Sequence, residues 1–526
     1  MAEEVWMLQT KKADFKQIGA RFRIDPVTAR IIRNRGIEGE AAIDRYLNGT
    51  LDDLYDPMLL KDMERAVSIL CEAVDTGKKI RIVGDYDIDG VCSTYILLQA
   101  FERLGSDVDF EIPDRIKDGY GINESIIEQA HADGVEVILT CDNGISAFHQ
   151  VELAKKYGMT VVITDHHEVP LDGEKEKIPP ADAVIDPKQA DCPYPFPEIC
   201  GAVVAYKLVQ VLYARRGVPQ MEWLDLLEFA AIATVGDVMK LQDENRILVK
   251  YGLKKMAQTK NLGLRRLAEK NNLDLGAITA YHIGFVIGPC LNAGGRLKTA
   301  KEALALLRAQ SEEEAERLAE ELKELNDTRK DMTEQGTEAA KLQVESWYQK
   351  DKVLVVFLPE CHESLAGIIA GRLREYYQKP AIVLTRGEEA VKGSGRSIDE
   401  YHMFKKLTEV SDLLLKFGGH PLAAGLSLEE KNIDEFRRRL NENAGLTEED
   451  FKAKVWIDVP MPVGYVTERL VRELSCLEPF GQGNEKPLFA EKSLRIRASR
   501  VLGRNRNVVK MTLEETDGHA IEALYF

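Results

Sequence analysis

The chain has 526 residues, 44% of them hydrophobic and 30% charged, which is too long for one domain and ample for several packed cores. No stretch approaches a membrane span, the opening MAEEVWMLQTKK has no apolar signal core, and eight cysteines are scattered without a CxxC pair. This argues against a membrane protein, a zinc ribbon or a disulfide scaffold, and suits single thiols in a reducing cytoplasm. The formal charge of −17 argues against a uniformly basic surface but leaves local ones open. Residues 311–324 hold seven glutamates against two basic residues, whereas 491–510 hold seven basic residues against one acidic.

Residues 1–59 carry apolar positions at helical spacing and read as a small helical lead-in. An amphipathic helix over 62–77 then feeds KIRIVGDYDIDG, in which Ile80, Ile82 and Val83 read as a short buried strand. The strand runs out at Gly84 into Asp85, Asp87 and Asp89. Three carboxylates in five residues repel one another unless a cation or a ring of donors neutralises them. The pattern of strand, polar tip and helix repeats. Val108–Ile112 ends near Arg115 and the Gly119–Tyr120–Gly121 turn, Val135–Leu139 ends at Asp142, Thr160–Ile163 ends at Asp165–His166–His167, and AVIDP places Asp186 past Ile185. Strands alternating with helices predict a doubly wound parallel sheet. An apolar run, FAAIATVG, precedes Asp237 and could be helix or strand.

At least three strands thus end in acids or imidazoles at one end of the sheet. Asp85, Asp87, Asp89, Asp142, Asp165, His166 and His167 make a pocket of oxygen and nitrogen ligands. Mixed carboxylate and imidazole ligands without thiolate favour Mn²⁺ or Mg²⁺ over structural zinc. So many carboxylates suit two ions ~4 Å apart, the arrangement that activates water and clamps a phosphoryl group.

Residues 283–297, IGFVIGPCLNAGGRL, read from spacing as a tight turn opening a helix, with Asn292 and Arg296 as its polar groups. Residues 301–346 read as a long, charged, solvated linking helix. A second α/β unit follows (DKVLVVFLP, ESLAGIIAGRLREYY, PAIVLT) and closes with two Gly-rich segments, 392–397 and 418–425. These are expected to offer backbone N–H groups with Ser394, Arg396 and His420 to a phosphate, in a cleft between lobes. In the tail, Leu494, Ile496 and Ala498 alternate with Arg495 and Arg497. That predicts a strand with one apolar and one basic face in a small barrel that tracks a nucleic-acid backbone.

GDYDIDG, CDNGIS, TDHHE, TVGDVMKL and GPCLNAGGRL, in that order, resemble the motifs of the DHH phosphoesterase superfamily, and CHESLAGIIAGRL, KGSGRSI and FGGHPLAAG resemble its DHHA1 partner domain. With the OB-like tail, the chain is most similar to the bacterial single-strand-specific exonucleases of that superfamily, which degrade DNA from the 5′ end in repair and recombination. The resemblance implies a fold of two α/β lobes joined by a long helix, plus an OB-like β-barrel. The expected domains are 1–59 (helical lead-in), 60–300 (DHH), 301–347 (linking helix), 348–447 (DHHA1) and 448–526 (OB-like, minimal or truncated). It implies Asp87, Asp89, Asp142, His166 and Asp237 as metal ligands, with Asp85 and His167 catalytic in or beside the cluster. Arg115, Ser394 and Arg396 match positions holding the 5′-terminal phosphate; Arg296 and His420 match residues lining the DNA path and scissile phosphate. Tyr120, Asn292, Arg495 and Arg497 complete the expected substrate-binding set. The implied reaction is in-line hydrolysis of a phosphodiester with two Mn²⁺ or Mg²⁺ ions, releasing a 5′-mononucleotide. A monomer working on single-stranded DNA in the cytoplasm, with a helicase and a single-strand-binding protein as partners, is expected. The rival readings are a superfamily member acting on oligoribonucleotides, cyclic dinucleotides or pyrophosphate, and a non-catalytic replication scaffold.

Overall fold

The computed structural model describes residues 4–503 and 506–526, and the chain divides into two units. The larger comprises Tyr55–Asp237 and Gly252–Ala453 with the first five residues; the smaller comprises Trp6–Leu54, Val238–Tyr251 and Lys454–Phe526.

The larger unit opens with a five-stranded parallel sheet in the order Val108–Glu111, Ile80–Val83, Val137–Cys141, Thr160–Thr164, Ala183–Ile185. Ile80–Val83 is buried along its whole length, as a strand covered by helices on both faces must be. Its one charged residue, Arg81, is answered by Asp109 at 2.7 Å and Asp133 at 2.8 Å. FAAIATVG is helical: every residue from Leu227 to Thr234 is buried in Leu227–Gly236, so no polar face exists to show a period.

Two glycine-rich readings are corrected here. Residues 283–297 do not form a turn: a π-helical segment, Ile283–Ile287, runs directly into the helix Gly288–Leu297. The reason for glycine is close packing, since a Cβ on Gly295 would lie 2.3 Å from the carbonyl oxygen of Tyr86. Nor are the two later Gly-rich segments loops. Val391–Arg396 and the hairpin Leu414–Gly419 and Ala423–Leu428 are strands of a mixed sheet completed by Ala381–Arg386 and Leu354–Phe357. A Cβ on Gly393 would lie 2.5 Å from the Leu384 side chain on the neighbouring strand. One face of this sheet packs on Phe436 and Leu440 and the other on Ile369 and Leu373.

The linking segment is two helices, Lys301–Leu307 and Glu312–Gln343. The longer is not simply solvated. Ala315, Leu318, Ala319, Leu322 and Ala340 form a buried stripe, and the acidic run pairs with Leu262–Lys270: Glu312 with Arg265 at 2.9 Å, Glu316 and Glu320 with Lys270 at 2.5 and 2.6 Å.

A short strand, Glu4–Leu8, runs into the smaller unit, where it precedes the expected helices Phe15–Phe22, Pro26–Asn34 and Glu40–Asn48. The helices share a core of Ile31, Ile32, Ile43 and Tyr46 with Val459, Met461, Leu470 and Leu477. The tail forms a three-stranded antiparallel meander, Arg495–Leu502, Val508–Glu514 and Ala520–Tyr525, rather than a closed barrel among the described residues. The simple alternation of Arg495 and Arg497 also fails. The ladder shifts register between Ile496 and Ala498, which makes Arg497 an extra, bulged residue, and its guanidinium sits 3.6 Å from Glu514.

Candidate active site

The first sheet reverses its order at Ile80–Val83, with the next strand in sequence on one side and Val137–Cys141 on the other. In open parallel sheets ligands collect outside the carboxyl ends of strands at such a reversal. The 85–89 turn and Asp142 emerge there. Asp87 caps the helix Ile88–Arg103, its Oδ1 accepting the N–H groups of Asp89 at 3.0 Å and Gly90 at 3.1 Å. Asp89 is held by a second helix: its Oδ2 accepts the N–H of Gly201 at 2.6 Å and its Oδ1 that of Ala202 at 2.7 Å. The amino end of Gly201–Arg216 is thus aimed at a buried carboxylate. Asp142 adopts φ 61°, in the left-handed region, and Asn143 braces that turn by donating to Val83 O at 3.0 Å and Cys141 O at 2.9 Å.

His166 stands at the centre. Its Nε2 is 3.0 Å from Asp142 Oδ1, 3.4 Å from Asp89 Oδ2 and 3.9 Å from Asp237 Oδ2. Three overlapping sets each bring one ligand atom per residue within 4.8 Å: Asp142–His166–His167, Asp89–His166–Asp237 and Asp85–Asp87–Asp142. Asp237, just past the end of Leu227–Gly236, closes the second set. All seven expected ligand and catalytic positions of the cluster are therefore brought together.

Burial and mutual repulsion set the electrostatics of the cluster. Burial, then repulsion from Asp87, pushes Asp85 up to about 8. Burial, then Asp89 and Asp87, pushes Asp237 up to about 8. Asp89 and Asp142 are driven upward by burial and neighbouring carboxylates, and burial pulls His166 down. Asp85 Oδ2 and His166 Nδ1 are buried without a hydrogen-bond partner. Buried, mutually repelling oxygens with imidazole and no thiolate fit hard divalent cations.

Asp165 has a separate task. Its Oδ2 accepts Ile145 N–H at 2.9 Å while its Oδ1 lies 2.7 Å from His167 Nδ1. Burial opposes charge on His167, but the bond to Asp165 outweighs it and holds the imidazole up at about 9. Tyr120 donates to Asp142 O at 2.8 Å and lies 3.1 Å from the His167 ring nitrogens. Burial and the surrounding aspartates push its pKa upward, so it stays a hydroxyl.

Facing the acids is a group of guanidiniums. Arg115 lies 3.9 Å over the Tyr86 ring. Arg296 donates to Ser364 O at 3.1 Å and is pushed down to about 10 by burial, then by Arg115 and Arg329. Arg396 donates to Ser394 Oγ at 3.2 Å and is lowered by burial, then by Arg374. Asn292 lines a cavity with Arg296 and Arg329. His420 lies in the turn after Leu414–Gly419. Arg495 and Arg497 lie in the smaller unit. Gly201, Asn143 and Arg329 were not picked out from sequence. Only the small pair Gly201–Ala202, opening an apolar helix, could have flagged the first.

A doubly wound lobe with this cluster, followed by a mixed second lobe, defines a hydrolase of the DHH class. Residues 79–234 match the N-terminal domain of the DHH family and 350–445 the DHHA1 domain, while 457–526 match the RecJ OB domain. The chain belongs to the RecJ family. It is 37% identical to the single-stranded-DNA-specific exonuclease RecJ of Bacillus subtilis over 513 residues, which is 97% of this chain and 64% of that relative. It is 34% identical to the Haemophilus influenzae protein of the same name over 522 residues, covering 95% of this chain and 89% of the relative. Crystal structures of Thermus thermophilus RecJ with Mn²⁺ and with Mg²⁺ superpose with TM-scores of 0.83 and 0.75 at 29% and 28% identity. They cover 99% of this chain in both cases, and 76% and 74% of the solved chains.

Proposed function

We propose that this chain is a metal-dependent exonuclease that degrades single-stranded DNA from its 5′ end and releases 5′-mononucleotides, in repair and recombination. The observation that carries the reading is the pairing, in one unit, of a buried carboxylate–imidazole cluster with guanidiniums that have no carboxylate partner among the described residues. Asp85, Asp87, Asp89, Asp142, His166, His167 and Asp237 would hold two Mn²⁺ or Mg²⁺ ions. When bound, such ions activate water and neutralise charge developing on a phosphoryl group.

The protein's own groups supply the rest. The N–H groups of Gly201 and Ala202 fix Asp89, and Asp165 fixes the His167 ring, so the ligand atoms do not reorganise as substrate arrives. Arg115, Ser394 and Arg396 offer a terminal phosphate charge-assisted hydrogen bonds, which sets polarity and a one-nucleotide step. Arg296 and His420 would balance charge on the scissile phosphate. The working unit is a monomer. Eight free thiols suit the cytoplasm, and a helicase with a single-strand-binding protein would supply strands.

The test is product analysis of end-labelled single-stranded DNA, duplex DNA, short RNA and cyclic dinucleotide, with Mn²⁺ or with EDTA. Mononucleotides released from the 5′ end of single strands only, and none in EDTA, are expected. Preferential cleavage of RNA or cyclic dinucleotide would overturn the reading.

A further inference from the structure

Between one face of the helix Gly288–Leu297, the middle of Glu312–Gln343 and the start of Ala366–Tyr377 lies a cavity of about 100 Å³. Gly236, Gly288, Asn292, Arg296, Arg329 and Ile368 line it. No carboxylate does, in a chain where acidic residues outnumber basic ones 87 to 70. Its two charged groups are both guanidiniums. Arg296 is committed to Ser364 O, and Arg329 Nε donates to Asn326 Oδ1 at 3.1 Å. Among the described residues neither forms an ion pair, although most arginines of this unit do, Arg81, Arg103, Arg215, Arg216 and Arg437 among them. Arg329 is half-buried, so water does not compensate it fully.

Like charges held together out of water need an anion to join them. A cavity of about 150 Å³ holds one benzene, so this one is too small for a base with its sugar and suited to a single tetrahedral anion. Gly236 in the wall immediately precedes Asp237, so an anion seated here adjoins the metal cluster.

We propose that Arg329, with Arg296 and Asn292, forms a second phosphate pocket, separate from the Arg115–Ser394–Arg396 end pocket. The phosphate is one of the strand's own backbone groups, seated one register from the reacting bond. Arg329 holds the strand there and takes no part in bond breaking, which makes it a positioning residue. The nature of the phosphate's source rests on the exonuclease reading; the anion chemistry of the pocket does not.

Two measurements on the full chain separate these layers. Calorimetric titration with inorganic phosphate, with and without EDTA, should show binding that Arg329→Gln abolishes and Arg329→Lys largely retains. On a long single strand with Mn²⁺, Arg329→Gln should raise KM roughly ten- to a hundredfold, the scale of one charge-assisted hydrogen bond, with a smaller change in kcat. It should also flatten the log–log salt dependence of binding by about 0.7. The preference for a 5′-phosphate over a 5′-hydroxyl should not change, which separates this pocket from the end pocket. Asn292→Ala, a milder lesion, should move KM in the same direction if Arg329→Gln fails to fold. Loss of phosphate binding with an unchanged KM would mean the pocket takes free phosphate and would overturn the strand assignment. Unchanged phosphate binding, KM and salt slope would overturn the pocket itself. If the wild type cleaves no single strand, the calorimetry still judges the pocket alone.

Discussion

Replacing Gly201 by Ala puts one carbon into the wall of the metal cluster. The new Cβ would lie 2.7 Å from Asp142 Cβ, 2.9 Å from its Cα and 3.0 Å from its Oδ1. None of these is the free end of a flexible side chain. Asp142 is 2% exposed and its backbone is fixed in the left-handed region, while Gly201 itself is tied to Asp89 at 2.6 Å. Either the helix Gly201–Arg216 retreats and loosens two N–H bonds to Asp89, or Asp142 turns out of its set. Overpacking of this kind costs about 1–3 kcal/mol of stability. Disturbing a group that orients metal ligands costs roughly 10–100-fold in metal affinity. Calorimetric titration of the metal-free chain with Mn²⁺, beside urea unfolding in EDTA, reads both effects separately. The expected result is a modest loss of stability with a tenfold or greater loss of Mn²⁺ affinity, on the scale given for such supporting groups. Wild-type Mn²⁺ affinity in Gly201→Ala would refute the argument that this helix end fixes the cluster.

His166→Ala removes the imidazole shared by two of the three ligand sets and should lower hydrolysis ~10³-fold or more while the fold survives; near-normal turnover with Mn²⁺ would exclude it from the centre. Arg396→Ala should weaken strands bearing a 5′-phosphate by about 1.5–3 kcal/mol more than those bearing a 5′-hydroxyl. Equal losses on both would make Arg396 a general backbone contact. Glu228 is buried, with Oε1 accepting from Thr259 at 2.7 Å, and burial lifts it from its ordinary 4.5 to about 7. A carboxyl with a raised folded pKa favours the fold below pH 4.5 and loses that contribution as pH climbs to 7. Glu228→Gln should therefore gain up to about 3 kcal/mol relative to wild type between pH 4.5 and pH 8 in urea unfolding. The same difference at both pH values would show that Glu228 does not titrate there.

The acids at strand tips were legible because each follows a short apolar run, and a parallel sheet gathers such ends at one edge. Asp237 was less so. FAAIATVG is buried on every side, so its sequence carries no period, and only the resemblance placed its terminal residue in the site. Glycine was the systematic source of error. At Gly295 and Gly393 the same residue that marks turns marks places where Tyr86 O or Leu384 comes within 2.5 Å of a would-be Cβ, and those neighbours are remote in sequence. Arg329 was invisible for a related reason. Charges surround the Glu312–Gln343 helix, and which of them faces a cavity depends on two other helices packed across it. In the tail, the strand was legible but its alternation breaks at Arg497, because the bulge there depends on the partner strand, which no local pattern reports.

The charge of the chain is reconciled with a polyanionic substrate by where its acids go. Glu312, Glu316 and Glu320 are consumed by Arg265, Arg266 and Lys270. Asp85, Asp87, Asp89, Asp142 and Asp237 gather in the cluster, where two divalent ions would cancel most of their charge. What then remains uncancelled is the guanidinium group, since Arg115, Arg296, Arg329 and Arg396 form no ion pair among the described residues, and burial followed by the other three lowers the proton affinity of Arg296. Without the ions, burial and mutual repulsion raise Asp85, Asp89, Asp142 and Asp237 towards their protonated forms; bound divalent ions would hold them ionised and add positive charge beside the guanidiniums. Metal loading therefore does more than supply chemistry. Bound ions would also shift the field that a strand meets on approach towards positive, so an overall acidic chain can meet a polyanion there without a broadly basic surface.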